Sequence, residues 1–465
     1  MTHAALSQLG ASSGRERLCV IAGLACPQLL MLLCQFVVGM TDVWAGGRIG
    51  SAVQASIGMI TQCQMMLMIL CMATVSGAVA AVSQSLGAGR LDRARRYVGL
   101  VCAAGLGAGL LLALICAGLR EPFLWLLQTP EDIMPTASVF FNATMWAMPG
   151  HYGMTIGAAL FRSAKSVLLP LYVGMGVALL NVIGDLGFGL GWWGLPAFGA
   201  AGLAWTTCIS VNLGALTLLG LLWRERLLTR VSLPRWRWAR RGAVYLFKVG
   251  GPALVTSALW QTGYLVLYII TASLPFDSVS ALAGLTAGLR VEALLFLPAT
   301  AFNMTASVLV GHCLGEGNKA EARRLAVTIL LVGCVSMSIV GACLWPLRSL
   351  LAAFITPDPS VQEATVAYLS YNFASVPFTV ASVILAGVFN GAGATVYPMW
   401  AFSIAIWLVR LPLAWLFGHR LWMTASGVFM AMLVSQVVQS LTLAWVLLRR
   451  DWTRFAMRRT AVHHD

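Results

Sequence analysis

The sequence predicts an all-α polytopic membrane protein with twelve transmembrane helices, built as two parallel-repeat six-helix bundles around a central cleft. Three observations carry this. Only 10% of the side chains are charged while 59% are hydrophobic, and mean hydropathy is +0.83. The apolar residues gather into twelve long runs. The first half of the chain recurs in the second at an offset near 228 residues.

A soluble domain carries about 25% charged residues. A chain of 465 residues with 10% is neither a soluble globular protein nor a disordered one. A membrane-crossing helix needs about 20 mostly apolar residues. The runs 18–45, 52–83, 95–118, 135–160, 167–190, 199–223, 243–272, 281–312, 325–346, 361–390, 394–418 and 424–448 meet that need. The first is too long for a signal-peptide core and has no small-residue cleavage site after it, so it is expected to be retained. Short connections leave no room for a soluble domain. The expected organisation is an N-terminal tail over 1–17, an N-lobe over 18–223, a polar linker over 224–242, a C-lobe over 243–448 and a C-terminal tail over 449–465. Trp236 and Trp238, set among arginines, suit an interfacial amphipathic segment in that linker.

Formal charge is +14, which in a soluble chain would suggest nucleic acid. With the N-terminus placed in the cytoplasm, 24 of the 30 basic residues fall in cytoplasmic segments and four (Arg48, Arg120, Arg348, Arg420) in external loops. The positive-inside rule therefore puts both termini in the cytoplasm of a plasma (inner) membrane. The charge is a topology signal, with anionic-lipid contact, and no nucleic-acid partner is expected. The eleven cysteines are scattered without a C-x-x-C pair, so no disulfide framework or zinc site is expected.

The repeat is visible in particular residues. Leu86-Gly87-Ala88-Gly89, followed by Ala94-Arg95-Arg96, recurs as Leu314-Gly315-Glu316-Gly317, followed by Ala322-Arg323-Arg324. Thr129-Pro130-Glu131 recurs as Thr356-Pro357-Asp358, Pro149 as Pro377, Pro27 as Pro252, and Phe161–Pro170 as Phe389–Pro398. Six spans per half is an even number, so the halves share one orientation, a construction found in transporters.

Three of the sixteen acids lie well within apolar runs: Asp42, Asp185 and Glu292. An ionised side chain at the centre of a membrane helix costs roughly 2.5–3.5 kcal/mol, so each is a functional candidate. Gln35 precedes Asp42 by seven residues and shares its helix face. Asn181 and Asp185 are at i and i+4 in span five. Spans one and five run in the same direction, so these groups reach similar depth. Thr206 lies near the outer start of span six, after the small residues GAAGLA that allow close helix approach. The set Asp42, Asn181, Asp185, Gln35 and Thr206 is the expected ion-coupling site. Its oxygens suit sodium, the only metal expected. Two nearby carboxylates in a low dielectric also resist double ionisation, which suits a proton, the preferred ion.

In the second half, Arg290 and Glu292 are two residues apart and point about 200° apart on an ideal helix, so they cannot both face the cleft. Glu292, Arg290, Gln261 and Met66 are the expected cleft residues, and two arginines in membrane spans, Arg290 and Arg410, leave room for an anionic or zwitterionic cargo. The run QCQMMLMILCM in span two is flexible and polarizable, suited to promiscuous binding. Proline residues 27, 149, 252, 298 and 377 lie inside spans and can kink them. No histidine has an acid, serine or cysteine at a catalytic spacing, and His151, deep in span four, reads as a structural hydrogen-bonder. No enzyme activity and no cofactor are expected.

The chain resembles the multidrug and toxic compound extrusion (MATE) family over about residues 18–448. The resemblance rests on Pro27, Gln35 and Asp42 followed by GGRIGSAVQASIG, on SLGAGRLDRARR, on LNVIGDLGFGLGWWGLPAFGAAGLAWTT, and on GLRVEALLFLPATAF leading into LVGHCLGEGNKAEARR. It implies a carrier that exports organic cations and amphipathic toxins by alternating access, driven by inward protons or sodium ions. The Asp of span one and the Asn/Asp pair of span five resemble the DinF-like and archaeal branch. The NorM-like branch has carboxylates in spans seven and ten, where this chain has Gln261 and no acid between Glu363 and the end of span ten. Expected partners are a small-molecule cargo and the lipid bilayer, with the protein a monomer. A lipid-linked precursor flippase of the related superfamily is the alternative.

Overall fold

The computed structural model describes residues 14–126, 129–232 and 236–457; the tails 1–13 and 458–465 lie outside the described residues. Twelve long helices account for most of them. We number these α1 (Gly14–Ile49), α2 (Ser51–Gly87), α3 (Leu91–Gly118), α4 (Met134–Ser163), α5 (Leu168–Gly189), α6 (Ala200–Arg224), α7 (Trp236–Ala272), α8 (Ser278–Glu316), α9 (Lys319–Ile355), α10 (Pro359–Ala392), α11 (Val396–Leu421) and α12 (Ala425–Arg449). There is no β-strand among the described residues.

Eleven of the twelve are long and apolar enough to cross a membrane; α4 is the exception. At 30 residues it is still about 45 Å long. Its lower hydropathy follows from where it sits. Phe141, Met145, Met148 and Tyr152 on α4 are fully enclosed by neighbouring helices. A helix wrapped by protein can carry Asn142, Thr144, His151 and Thr155, because its polar groups meet partners rather than lipid.

Small residues set the α4–α6 contact. Gly150, Gly153 and Gly157 form a stripe against Asn212, Ala215 and Leu218 of α6. A Cβ on Gly150 would lie 2.9 Å from the backbone nitrogen of Asn212 and 3.0 Å from its Cα. Such approach between backbones is what small-residue stripes permit in membranes.

The repeat appears in backbone geometry. Gly89 and Gly317, 228 residues apart in the sequence, both end a long helix with left-handed φ, at 72° and 83°. Lys165 and Gly393 are equivalent in the same register and both are left-handed, at 60° and 76°. Glycine adopts this region without cost; lysine does so against the steric preference of its Cβ.

The chain divides into two compact units. One comprises residues 26–250, the other residues 14–25 and 251–457 of the described chain. This departs from the expected lobes, 18–223 and 243–448. Residues 18–25 group with the second unit, and the divisions fall beside Pro27 in α1 and Pro252 in α7. Contacts explain the grouping. Arg17 pairs with Glu321 at the start of α9, at 3.4 Å. In the other unit, Gly77 on α2 approaches the backbone of Leu246, and Trp238 stacks edge-on to Tyr97 at 4.9 Å. The expected linker 224–242 is likewise not a separate segment throughout. Residues 236–242 are the first two turns of α7, while 233–235 lie outside the described residues.

Asp358 caps α10, accepting from the amide and hydroxyl of Ser360 at 2.9 and 2.7 Å. Those bonds hold its carboxyl below the usual carboxylate range. The cap therefore contributes above the ordinary carboxylate value and is lost as acidification passes the depressed one.

Replacing Gly150 by alanine should push α4 off α6, because the obstructing atoms are backbone. We expect a loss of about 1–3 kcal/mol, seen as a lower melting temperature in detergent, with Gly150→Ser no better.

Candidate ion and cargo sites

The N-terminal unit brings its two intramembrane acids, Asp42 and Asp185, together. Asp42 is two turns from the end of α1. Asn181 lies on the α-helical part of α5, and Asp185 opens the π-helical turn Asp185–Gly189 that ends it. An extra residue per turn of this kind recurs at functional sites because it re-aims side chains. Asn181 and Asp185 are both fully buried. The carboxyl groups of Asp42 and Asp185 interact directly.

Helix α6 closes the site from the side. Gly184 on α5 leaves room for Thr206, whose hydroxyl oxygen would stand 2.9 Å from a Cβ there. The next residue makes the hydrogen bond: Asn181 Nδ2 donates to Thr207 Oγ1 at 2.9 Å, and Thr207 donates to the Leu203 carbonyl at 3.2 Å. From span six the expected residue, Thr206, thus packs, and Thr207, which was not expected, makes the hydrogen bond. Gln35 is exposed on α1 and does not line the cavity beside Asp42.

Four acceptor oxygens in this cluster have no hydrogen-bond donor: Asp42 Oδ1, Asn181 Oδ1, and both carboxyl oxygens of Asp185. Buried acceptors are rarely left so, and each costs about 1–3 kcal/mol when unmatched. Such oxygens are of the kind that hard cations take as ligands. The adjoining cavity is lined by Asp42, Thr61, Gln64, Thr144, His151 and Thr207, among apolar side chains. Gln64 and His151 contact each other at 2.8 Å. Sequence reading passed over Thr207, which differs from its neighbour only by helical phase, and gave His151 no part in a site because its partner is remote in sequence.

The other unit holds a second polar cluster. Glu292 on α8 is buried at 9% exposure, while Arg290 is exposed, as their spacing on a helix requires. The Tyr368 hydroxyl donates to Glu292 Oε2. Arg410 on α11, at 1% exposure, exerts its charge on Glu292. Its Nε donates to Ser435 Oγ at 2.8 Å, and its guanidinium lies 5.7 and 5.4 Å from the ring centres of Trp260 and Tyr264. The basic neighbour of Glu292 is therefore Arg410. A small cavity here is lined by Glu292, Tyr371, Asn372, Ser375 and Gln436. Gln261 is half-buried on α7 and Met66 exposed on α2; neither lines the cavity of its own unit. No group of three or more acids, histidines and cysteines suited to a metal ion occurs among the described residues.

Two repeated helical units, each with buried acid in a polar pocket, define a polytopic carrier-type membrane protein. The chain belongs to the MatE family, whose profile matches residues 27–186 and 252–416, one segment in each unit. It is similar to the probable multidrug resistance protein NorM of Thermotoga maritima, 23% identical over 436 residues, covering 93% of each chain. The probable multidrug resistance protein NorM of Chromobacterium violaceum is 25% identical over 452 residues, covering 93% of this chain and 94% of that one. In structure it is similar to the Vibrio cholerae MATE transporter VcmN in its bent form. The TM-score is 0.85 at 19% identity, over 98% of this chain and 100% of the other. That likeness establishes the fold. The expected placement nearer the DinF-like and archaeal branch finds no support, since both sequence relatives are NorM proteins. The acid pattern behind that placement is a local feature, which similarity over the whole chain does not follow.

Thr207→Val should strand the Asn181 amide, at about 1–3 kcal/mol, and weaken gradient-driven transport. Thr206→Val, close in shape and taking no part in that bond, should leave the rate within about twofold. Paired transport assays on the two variants separate the roles.

Proposed function

We propose that this protein is a secondary active efflux transporter, a cation-coupled antiporter that exports organic cations, amphipathic xenobiotics or toxic metabolites by alternating access. It is a carrier and not an enzyme. The observation that carries the reading is the cluster of Asp42, Asp185 and Asn181, whose four donorless oxygens invite one cation at a time. We place the protein in the plasma (inner) membrane with both termini cytoplasmic, on the strength of its basic-residue asymmetry, and take it to act as a monomer.

The proton is our preferred coupling ion. Two abutting carboxyl groups in a buried site repel one another when both are ionised, and a shared proton turns that repulsion into a hydrogen bond. Sodium is the second reading, because the same four oxygens are a hard-cation donor set. Either ion removes charge from the packing of α1, α5 and α6. Binding free energy that differs between two packings of those helices shifts their population, and that shift drives the transport cycle.

The cargo face extends the reading. Glu292 offers a carboxylate to a cationic cargo, with Gln261 as a polar contact in the same unit. Arg290 and Arg410 add basic charge in the second unit, which suits a zwitterion. A flippase for lipid-linked precursors is disfavoured, since the cavity of the N-terminal unit carries an acid and no Lys or Arg lines it.

Liposomes with separately imposed proton and sodium gradients test the reading, with ethidium as cargo. Asp42→Asn and Asp185→Asn should each cut gradient-driven efflux by about a hundredfold while the purified variants keep their melting temperature within a few degrees. Wild-type rates in both variants would remove the coupling assignment. Efflux driven by neither gradient would remove the antiporter.

A further inference from the structure

Away from both polar pockets, one end of the N-terminal unit carries dense unmatched charge. Residues 90–96 and 224–248 hold twelve lysines and arginines against two acids, Asp92 and Glu225. In the other unit, residues 316–324 and 449–454 hold six against three. There the acids are in use: Glu321 pairs with Arg17 at 3.4 Å, and Asp451 feels the charges of Lys319 and Arg323. In the N-terminal unit Asp92 pairs with Arg95 at 3.5 Å, while no carboxylate among the described residues forms a salt bridge with Arg237, Arg240 or Arg241.

Packing brings these segments to one place and fixes which side of α7 stays open. Arg95 on α3 donates to the Arg226 carbonyl, just past α6, at 3.0 Å. The Ser232 carbonyl presses on Gly99 of α3, where a Cβ would clash. Trp238 and Tyr245 on α7 both meet the Tyr97 ring of α3, with centres at 4.9 and 6.3 Å. Arg96 lies over the Trp238 ring at 6.0 Å. At about 100° per residue Trp238 and Tyr245 share the inner side of the helix. Trp236, Arg237, Arg240, Arg241, Val244 and Phe247 spread over about 140° of the outer side. All six are exposed, Trp236 at 81% and Phe247 at 77%. The arginines come first, and Val244 and Phe247 follow Arg241 about 5–9 Å further along the axis.

A diffuse attraction to an anionic surface follows from net charge alone. This face has more than charge: cations come first and apolar side chains second, the order of a phospholipid's headgroup and chains. We propose that the opening turns of α7 seat an acidic phospholipid, its phosphate against Arg237, Arg240 and Arg241 and an acyl chain along Val244 and Phe247. Charge complementarity selects the occupant. Guanidinium groups fork onto phosphate oxygens, and a lipid without net charge would leave most of the cluster uncompensated. Covering Val244 and Phe247 takes a hydrocarbon chain, which a soluble phosphate lacks. Trp236 sits at headgroup level, where indole rings are favoured. The seat is independent of the coupling ion and of the cargo.

Native mass spectrometry of the full chain, released from a mild detergent, tests the seat. The probes are equal amounts of dioleoylphosphatidylglycerol and dioleoylphosphatidylcholine. Wild type should retain the glycerol lipid about tenfold over the choline lipid, and raised salt should erode that preference. The triple variant Arg237→Gln, Arg240→Gln, Arg241→Gln should bring the ratio within about twofold of unity. Arg237→Lys, Arg240→Lys, Arg241→Lys keeps the charge and should stay within about threefold of wild type, which separates lost charge from lost fold. The same charge change in the other unit, Arg323→Gln, Arg324→Gln, Arg449→Gln, should leave the preference intact. Phe247→Ser should weaken retention of both lipids by about threefold or more. Excess inorganic phosphate should displace neither. Equal losses in the two glutamine triples would leave only diffuse attraction and overturn the seat. So would displacement by inorganic phosphate with Phe247→Ser unchanged, which marks a phosphate site. A dimer in phosphatidylcholine alone that the first glutamine triple or Phe247→Ser abolishes would assign the face to a second copy and overturn it too.

Discussion

In a hydrocarbon environment no solvent satisfies backbone amides and carbonyls, so each must be paired within the chain. Helices do this locally, and the twelve long helices follow from that requirement. So does the distribution of everything else. Side chains facing outward become apolar, as Leu111, Leu179, Leu216 and Leu331 are, all well exposed on the described surface. Polar side chains retreat between helices and bond to one another or to carbonyls one turn back. Serine and threonine hydroxyls do the latter repeatedly, as at Ser83, Thr155 and Thr305. The three acids left within the apolar runs are then conspicuous, Asp42 and Asp185 in one unit and Glu292 in the other.

The two units solve this problem differently. In the N-terminal one, the Asp42 and Asp185 carboxyl groups interact, and no lysine or arginine lines the cavity beside Asp42. In the other, Glu292 receives a tyrosine hydroxyl and feels the charge of Arg410, so its needs are met from within the protein. The first arrangement is poised to change its state of charge, and the second is built to hold it. That asymmetry, set into a repeated fold, is why we assign the coupling ion to Asp42 and Asp185 and the cargo face to Glu292.

Composition and run length made the helical class legible, and the recurrence of Gly89 at Gly317 made the repeat legible, because left-handed helix ends demand particular residues. The buried acids were legible for the same reason that they are rare. Helical phase was harder. Thr206 and Thr207 are neighbours in sequence, and which one meets Asn181 depends on how α6 is rotated against α5, a tertiary quantity. The pairings Gln64–His151 and Tyr368–Glu292 join residues 87 and 76 positions apart, and no local pattern announces them. The division of the chain beside Pro27 and Pro252 was hidden too. Each lies inside one continuous apolar run, and hydropathy does not register which neighbours a helix chooses before and after a proline.

Helix α4 has one further consequence, for how the protein is made. A segment that enters the bilayer singly must partition there on its own apolarity, and α4 is the long helix least equipped to do so. Its place is stable only once α2, α3 and α6 surround it. Its insertion is therefore cooperative with theirs, and the glycine stripe that seats α6 belongs to the assembly step of biogenesis as much as to the finished carrier.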